Sequence, residues 1–131
     1  MVTAMDDKRD LQPPTDGAQL ATYDFDLDSG VLVWGGGLFA LFGFDRAMPV
    51  NSHAWWSSRI HPDDAMVLNE TMDMLMYPWV KEWTVDYRFQ KGDNSYVLVH
   101  DRATVVRDAN GKATRLNGVL WLAETERTPK S

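Results

Sequence analysis

Residues 81–125 alternate apolar and polar side chains over three successive segments. The apolar positions of the first segment are Trp83, Val85, Tyr87 and Phe89. A period of two is typical of a β-strand with one buried face. Two stretches rich in Gly, Asp and Asn, 91–94 and 108–111, separate the segments and favour tight turns. Because short turns make neighbouring strands pair antiparallel, the pattern predicts a three-stranded meander, with its later strands at 95–107 and 113–123.

An earlier stretch of the chain predicts a hairpin that adds two strands to the same sheet. Residues 21–27 alternate apolar side chains with aspartates, which is typical of a strand with an acidic outer face. Asp28-Ser29-Gly30 favours a turn, and residues 31–34 form the returning strand. Five strands in all are therefore expected.

Several helices are predicted between the two groups of strands. The first is a short apolar turn that begins after the glycines at 35–37 and ends at Gly43, a residue suited to a helix C-cap. A second short helix is expected at 53–58, where Trp55 and Trp56 should anchor it to the sheet. A longer helix is expected from Pro62 to about Met76. Its apolar stripe would be Met66, Leu68, Met72, Leu75 and Met76. Helices inserted between strands of one sheet predict an α+β domain with the helices on one face.

Several short motifs occur in an order and spacing that match a known family. They are Tyr23-Asp24-Phe25-Asp26-Leu27-Asp28-Ser29-Gly30, Leu41-Phe42-Gly43-Phe44, Ile60-His61-Pro62-Asp63-Asp64, Tyr87-Arg88-Phe89 and Arg107-Asp108-Ala109-Asn110-Gly111-Lys112. Together they resemble a PAS domain with its PAC motif, over about residues 20–125. The resemblance implies a five-stranded antiparallel sheet whose helices form one wall of a small cavity.

The resemblance also implies a function in signal transduction. PAS domains are sensory or dimerising modules joined to an output domain, such as the histidine kinase of a two-component system or a cyclic-di-nucleotide enzyme, and they are not themselves catalytic. The expected organisation is a flexible leader at 1–17, the PAS domain at 18–125, and a tail or linker at 126–131. The family usually ends in Asp-Ile-Thr, whereas this chain has Leu122-Ala123-Glu124. That departure argues against transmission through a continuous C-terminal coiled coil.

Composition narrows the possible partners. The net charge is −6 and no basic cluster is present, which argues against a nucleic-acid surface. No apolar run approaches the roughly 20 residues of a membrane span, and the charged first ten residues do not resemble a secretory signal. The chain has no cysteine, so disulfides and thiolate chemistry are excluded. A cytoplasmic location is therefore expected.

The residues predicted to point inward, between the sheet and the helices, are the candidate lining of a pocket. They are Tyr23, Phe25, Trp34, Phe39, Phe42, Trp56, Tyr87, Phe89, Val99 and Asp101. Most are large and apolar, so a filled core is one interpretation and a small-molecule site is the other. Asp101 stands apart, because a buried carboxylate needs a partner. A ligand, a tryptophan N–H, water or a strand bulge would each account for it, and a structural role is favoured.

The positions that hold cofactors in some members of the family can be compared with the residues of this chain. In light-sensing relatives a cysteine forms the flavin adduct and Asn and Gln side chains hold the ring, but the matching positions here are Phe89, Val99 and Leu120. His53 and His61 are the candidates for a haem ligand, although His61 precedes a proline at a helix start, where a structural role is expected. His61 with the two aspartates after Pro62 reads as helix capping rather than a metal site. The sequence therefore favours no cofactor and argues against haem and flavin.

Large apolar residues on the other face of the sheet predict a covered surface. Leu98, Val119 and Trp121 fall on that face by alternation. Either the N-terminal leader or a second copy of the chain would cover them, and a homodimer is predicted. Two alternatives to a sensor remain. One is a dimerisation module with a filled core, and the other is a small cone-shaped α+β enzyme or ligand carrier with an Asp–His pair in its cavity.

Overall fold

The computed structural model describes residues 20–35, 37–44 and 50–123. The strands are β1 Leu20–Asp26, β2 Leu32–Trp34, β3 Glu82–Gln90, β4 Tyr96–Arg107 and β5 Ala113–Leu122. The helices are α1 Leu38–Phe42, α2 His53–Ser58 and α3 Ala65–Asp73, and 3-10 turns at Pro62–Asp64 and Met74–Met76 flank α3. The predicted leader and tail lie outside the described residues.

The five strands form one antiparallel sheet in the order β2-β1-β5-β4-β3. The last strand therefore lies at the centre, between the opening hairpin and the rest of the meander. In one row across the sheet, Tyr23 of β1 opposes Gly118 of β5, which opposes Ala103 of β4. The predicted joining of hairpin and meander is confirmed.

One face of the sheet carries the core, and the helices pack on it. The alternating side chains of β3 are buried as predicted, and they pack with Trp56 of α2 and Leu68 of α3. The predicted α+β class, with helices on one face, is confirmed. Among the described residues, no helix is both long enough and apolar enough to cross a lipid bilayer.

The predicted long helix is helical from 62 to 76, but its apolar stripe is only partly right. Leu68 and Leu75 are buried, whereas Met66 is 69 % exposed and Met76 is 75 % exposed. Leu68 and Leu75 are seven residues apart and share one side of the helix. Met66 lies about 200° around the helix from Leu68, so it faces solvent. The methionines therefore contribute less to the core than their hydrophobicity indicates.

Local signals at the helix ends agree with the structure except at one aspartate. Gly43 ends α1 with a left-handed φ of 73°, as expected of a glycine C-cap. The His61 side chain accepts a hydrogen bond from the backbone N–H of Asp63, which confirms its structural role at the helix start. Asp64 instead pairs with Arg88 of β3, where its carboxylate accepts from both the backbone and the guanidinium. Asp64 therefore ties the helix to the sheet rather than capping it.

Candidate functional site

A small cavity lies between the inner face of the sheet and the helices. Its volume is about 20 Å³ for the centres of water molecules, enough for about one water. Its lining is largely aromatic and includes one acid: Tyr23, Phe25, Leu32, Trp34, His53, Trp56, Met72, Trp83, Asp101 and Leu116. The site therefore combines an apolar enclosure with a single buried carboxylate.

Asp101 is held by hydroxyl groups from two other strands. Its side chain is buried, with 2 % of the residue exposed. Tyr23 donates a hydrogen bond to Oδ1 at 2.6 Å, and Tyr87 donates one to Oδ2 at 2.7 Å. The indole N–H of Trp56 in turn donates to the Tyr87 hydroxyl at 3.0 Å. A continuous hydrogen-bonded chain thus joins α2, β3, β4 and β1 at the cavity.

Burial determines the ionisation of this network. Desolvation raises the pKa of Asp101 to about 7, and the two tyrosine hydrogen bonds only partly oppose the rise. Burial also raises the pKa of Tyr23 and Tyr87 well above the usual value, and the neighbouring carboxylate adds to both shifts. The tyrosines therefore remain protonated donors. Asp101 lies near the midpoint of its titration at neutral pH.

Gly118 allows Tyr23 to reach Asp101. β5 separates their two strands, and Gly118 is the residue of β5 that opposes Tyr23. A Cβ atom at position 118 would overlap the ring of Tyr23 at Cζ, Oη and Cε2. The tyrosine therefore crosses the sheet over a residue with no side chain. A glycine inside a strand is the sequence signal for such a close approach.

Two further lining residues have polar atoms near the cavity. The His53 ring is half-buried and stacks on Phe25 with centroids 5.3 Å apart, and burial lowers its pKa. The indole N–H of Trp83 is buried and has no hydrogen-bond partner within the described part of the chain. His53 and Asp101 border the same cavity, but both carboxylate oxygens of Asp101 are bonded to tyrosines. The expected hallmark of the enzyme alternative, a hydrogen-bonded Asp–His pair, is not formed among these residues.

The predicted inward residues are buried or pack against the core, but only half of them border the cavity. Tyr23, Phe25, Trp34, Trp56 and Asp101 do so. The remaining members, which belong to the surrounding core, are Phe39, Phe42, Tyr87, Phe89 and Val99. The lining residues absent from the prediction are Leu32, His53, Met72, Trp83 and Leu116. The partners of Asp101 are two tyrosine hydroxyls, which differ from the partners predicted from the sequence.

The positions compared with cofactor-binding relatives belong to the core or to the surface. Phe89, Val99 and Leu120 are buried apolar residues. The His61 ring packs against Tyr96 with centroids 4.8 Å apart and does not border the cavity. Haem or flavin would require the aromatic lining to move, because the cavity holds about one water. In the described residues no three or more His, Asp or Glu side chains group together as a metal site would require.

On the opposite face of the sheet, the three predicted apolar residues differ in exposure. Leu98 is 40 % exposed, Val119 is half-buried and Trp121 is only 3 % exposed. The Trp121 ring contacts the His100 ring at 5.3 Å, and the Arg102 guanidinium lies 6.0 Å from its centroid. Trp121 is therefore covered within a single chain, and of the three predicted residues only Leu98 and Val119 remain accessible.

A groove on this outer face lies directly behind the cavity. It has a volume of about 470 Å³ and is lined mainly by polar residues around Gly118: Thr22, Tyr23, Glu82, Arg102, Ala103, Thr104, Asn117, Gly118 and Val119. Tyr23 borders both the groove and the inner cavity. By strand alternation the Tyr23 side chain lies on the inner face with Asp101, so Tyr23 borders the groove through its backbone.

Comparison with known proteins identifies the family. A family model described as PAS fold matches residues 31–120. Since this match covers more than half of the chain, the protein belongs to the PAS family, as the sequence motifs indicated. No curated protein matches the chain.

Solved structures agree with this fold. The N-terminal domain of a diguanylate cyclase with PAS/PAC sensor from Marinobacter aquaeolei is 24 % identical, with a TM-score of 0.72 over 83 % of this chain and 99 % of that one. A sensory box histidine kinase/response regulator from Burkholderia thailandensis is 19 % identical, with a TM-score of 0.69 over 87 % and 84 % of the two chains. The PAS-B domain of Drosophila melanogaster Cycle, a W398A variant with bound glycerol, is 17 % identical, with a TM-score of 0.62 over 79 % and 99 %. At these identities the likeness shows a shared fold.

Proposed function

We propose that this PAS domain is the sensory module of a cytoplasmic signalling protein, and that a small molecule in the inner cavity is its signal. The observation that carries the proposal is the buried Asp101 network beside an aromatic cavity. Such a network is sensitive to occupancy, because an added ligand changes the hydrogen bonds of a group that has no access to bulk water. The similar domains from a diguanylate cyclase and a histidine kinase support an enzyme of either kind as the output domain. Glycerol in the Cycle domain supports a small polar occupant.

Tyr23 supplies a route from the cavity to the outer face. Its hydroxyl is bonded to Asp101, and its ring lies against Gly118. A ligand that changes the hydrogen bonding of Asp101 would move this ring against Gly118, and the β5 backbone at Gly118, which also borders the groove, would carry the change to the outer face. The signal would then leave through the outer face rather than through a C-terminal coiled coil.

The function is tested by mapping amide chemical shifts in the full chain during titration with small polar molecules. A true ligand is expected to shift amides beside the cavity, such as His53 and Asp101, together with groove amides such as Arg102 and Asn117. Gly118→Ala, which displaces Tyr23 from Asp101, should reduce the cavity shifts and abolish the groove shifts. Cavity shifts without groove shifts in the wild type would contradict the proposed route.

A second candidate is a dimerisation module with a filled core. The small cavity volume favours it, because about one water would fill the space. In that case no small molecule perturbs the cavity amides, and native mass spectrometry of the purified protein detects no bound compound. These results would replace the sensor proposal.

We also propose that the outer face forms a homodimer through Leu98 and Val119. Leu98→Lys is expected to weaken self-association at least tenfold, because a lysine charge would have to be desolvated in the interface. Sedimentation velocity over a range of concentrations measures the change. Val106→Lys is the matched control, since Val106 is a 36 % exposed residue of the same strand but lies away from this patch. An unchanged dissociation constant for Leu98→Lys, or a wild type that stays monomeric at millimolar concentration, would reject this interface.

A further inference from the structure

We propose that the inner cavity binds a small organic ammonium ion, of the size of methylammonium. The inference rests on the proposed function, because it names the chemical class of the molecule that the cavity would sense. Three features of the lining carry it: a carboxylate with no positive partner, a surrounding set of aromatic rings, and a size limit.

The first feature is the missing counter-charge of Asp101. Buried acids in proteins are normally paired with a cation or neutralised. The hydrogen-bond partners of Asp101 are two neutral hydroxyls, and among the described residues it forms no ion pair. The charged side chain that influences its pKa is Asp86, another acid, which raises it. A ligand that brings a positive charge would therefore complete this site, whereas an anion would be repelled.

The second feature is the aromatic character of the lining. Five rings surround the cavity with the acid: Tyr23, Phe25, Trp34, Trp56 and Trp83. The faces of aromatic rings attract cations, and cages of such rings bind ammonium groups in many proteins. A neutral apolar ligand would gain from the rings but would leave the carboxylate without a counter-charge. An ammonium ion is complementary to both.

Hydrogen-bond acceptors for the ammonium N–H groups are present. Each carboxylate oxygen of Asp101 accepts one tyrosine hydrogen bond and has further lone-pair capacity. The His53 ring also borders the cavity, and its lowered pKa keeps it neutral, so one ring nitrogen can accept. The site thus offers acceptors from two elements, β4 and α2.

The third feature is size. A cavity of about 20 Å³ for water centres fits a group not much larger than water. Met72, which is unbranched and half-buried, forms part of the wall, and methionine adapts its shape readily. A ligand of about two non-hydrogen atoms is therefore expected. A larger one, such as ethylene glycol, would require Met72 to move, and long-chain or ring amines are excluded from this conformation.

The test is calorimetric titration of the full chain with methylammonium, and with ethylene glycol as a small neutral ligand. Methylammonium is expected to bind the wild type, and Asp101→Asn should weaken that binding at least tenfold while leaving any binding of ethylene glycol within twofold. Asp86→Asn is the matched control, because it removes one acidic charge on the outer face next to His100. This control should stay within twofold of the wild type.

Proton release gives an independent readout. At pH 7 the pKa of Asp101, about 7, leaves about half of the molecules protonated there. A bound cation stabilises the carboxylate, so methylammonium should release about half a proton per site. Titration in two buffers of different ionisation enthalpy measures this release. Asp101→Asn should release none.

The outcomes distinguish the ammonium inference from the broader sensor proposal. If ethylene glycol binds and methylammonium does not, or if Asp101→Asn binds methylammonium as tightly as the wild type, the ammonium inference is wrong and the sensor proposal stands. If neither molecule binds and no other compound shifts the cavity amides, water alone occupies the cavity and both proposals fall. Should Asp101→Asn fail to fold, Phe25→Leu keeps the acid and removes one ring. It should weaken methylammonium binding several-fold, and an unchanged affinity would overturn the inference.

Discussion

Replacing Gly118 by valine is expected to destabilise the domain by about 4 kcal/mol. A Cβ at this position would lie 2.6 Å from Cε2 of Tyr23 and closer still to other atoms of the ring, so the ring must move. Moving it breaks the hydrogen bond to the buried carboxylate of Asp101. A lost hydrogen bond to a charged group costs roughly 1.5–3 kcal/mol, and overpacking adds roughly 1–3 kcal/mol. Urea denaturation measures the free energy of unfolding.

Strand propensity alone predicts that Gly118→Val would stabilise the domain rather than destabilise it. Valine is favoured over glycine in strands by up to about 1 kcal/mol, so a site without tertiary constraint would be stabilised. Asn117→Val, at the exposed neighbouring position of β5, is the control and should change stability by less than about 0.5 kcal/mol. Gly118→Ala should also destabilise the wild type, but in a Tyr23→Ala background the same substitution should cost little stability, since the obstructing ring is gone. A stable Gly118→Val protein with an intact Tyr23–Asp101 contact would refute the placement of the Tyr23 ring over Gly118.

The second large effect is a pH-dependent contribution of Asp101 to stability. Its pKa is raised to about 7 in the folded state, so the folded protein holds a proton that the unfolded chain releases above about pH 4. The stabilising effect of this proton is fully present below about pH 4 and is lost as the pH rises through 7. The free-energy difference between wild type and Asp101→Asn should therefore shift by roughly 2–3 kcal/mol against the wild type between pH 5 and pH 8.

Comparison with the variant is needed because other groups titrate in the same measurement. Burial lowers the pKa of His53, so its contribution to stability is present above about pH 6.5 and is lost as the pH falls below that value, the opposite direction to that of Asp101. The carboxylates of Asp26, Asp64 and Asp93 have lowered pKa values and matter only in acid. Subtracting the two denaturation series cancels these shared terms. A difference that stays flat from pH 5 to pH 8 would mean that Asp101 keeps an ordinary pKa.

The candidate site was predictable where it depends on strand alternation. The period of two placed Tyr23, Phe25 and Asp101 on the inner face, and each borders the cavity. The same alternation identified Asp101 as an acid in need of a partner. It could not name Tyr23, because the two residues are 78 positions apart and meet only through the pairing of three strands.

Other parts of the site depend on packing rather than on pattern. Met72 lines the cavity while Met66 and Met76 face solvent, a distinction made by helix rotation against the sheet. Trp121 has the outward position that alternation gives it, yet neighbouring side chains cover it. Burial of this kind cannot be deduced from strand alternation, because it depends on which neighbouring side chains lie over the ring.

By itself the sequence determined the five strands, their order of connection, the turns, the inner and outer faces, and the family. These features are local or periodic, since turn residues and alternating hydrophobicity act over a few neighbouring positions. Only the tertiary structure decided how Asp101 is partnered, that a ring crosses at Gly118, and how little space remains between sheet and helices. Those properties depend on strand register and on the shapes of side chains brought together from distant positions, and a linear pattern does not contain the distances between them.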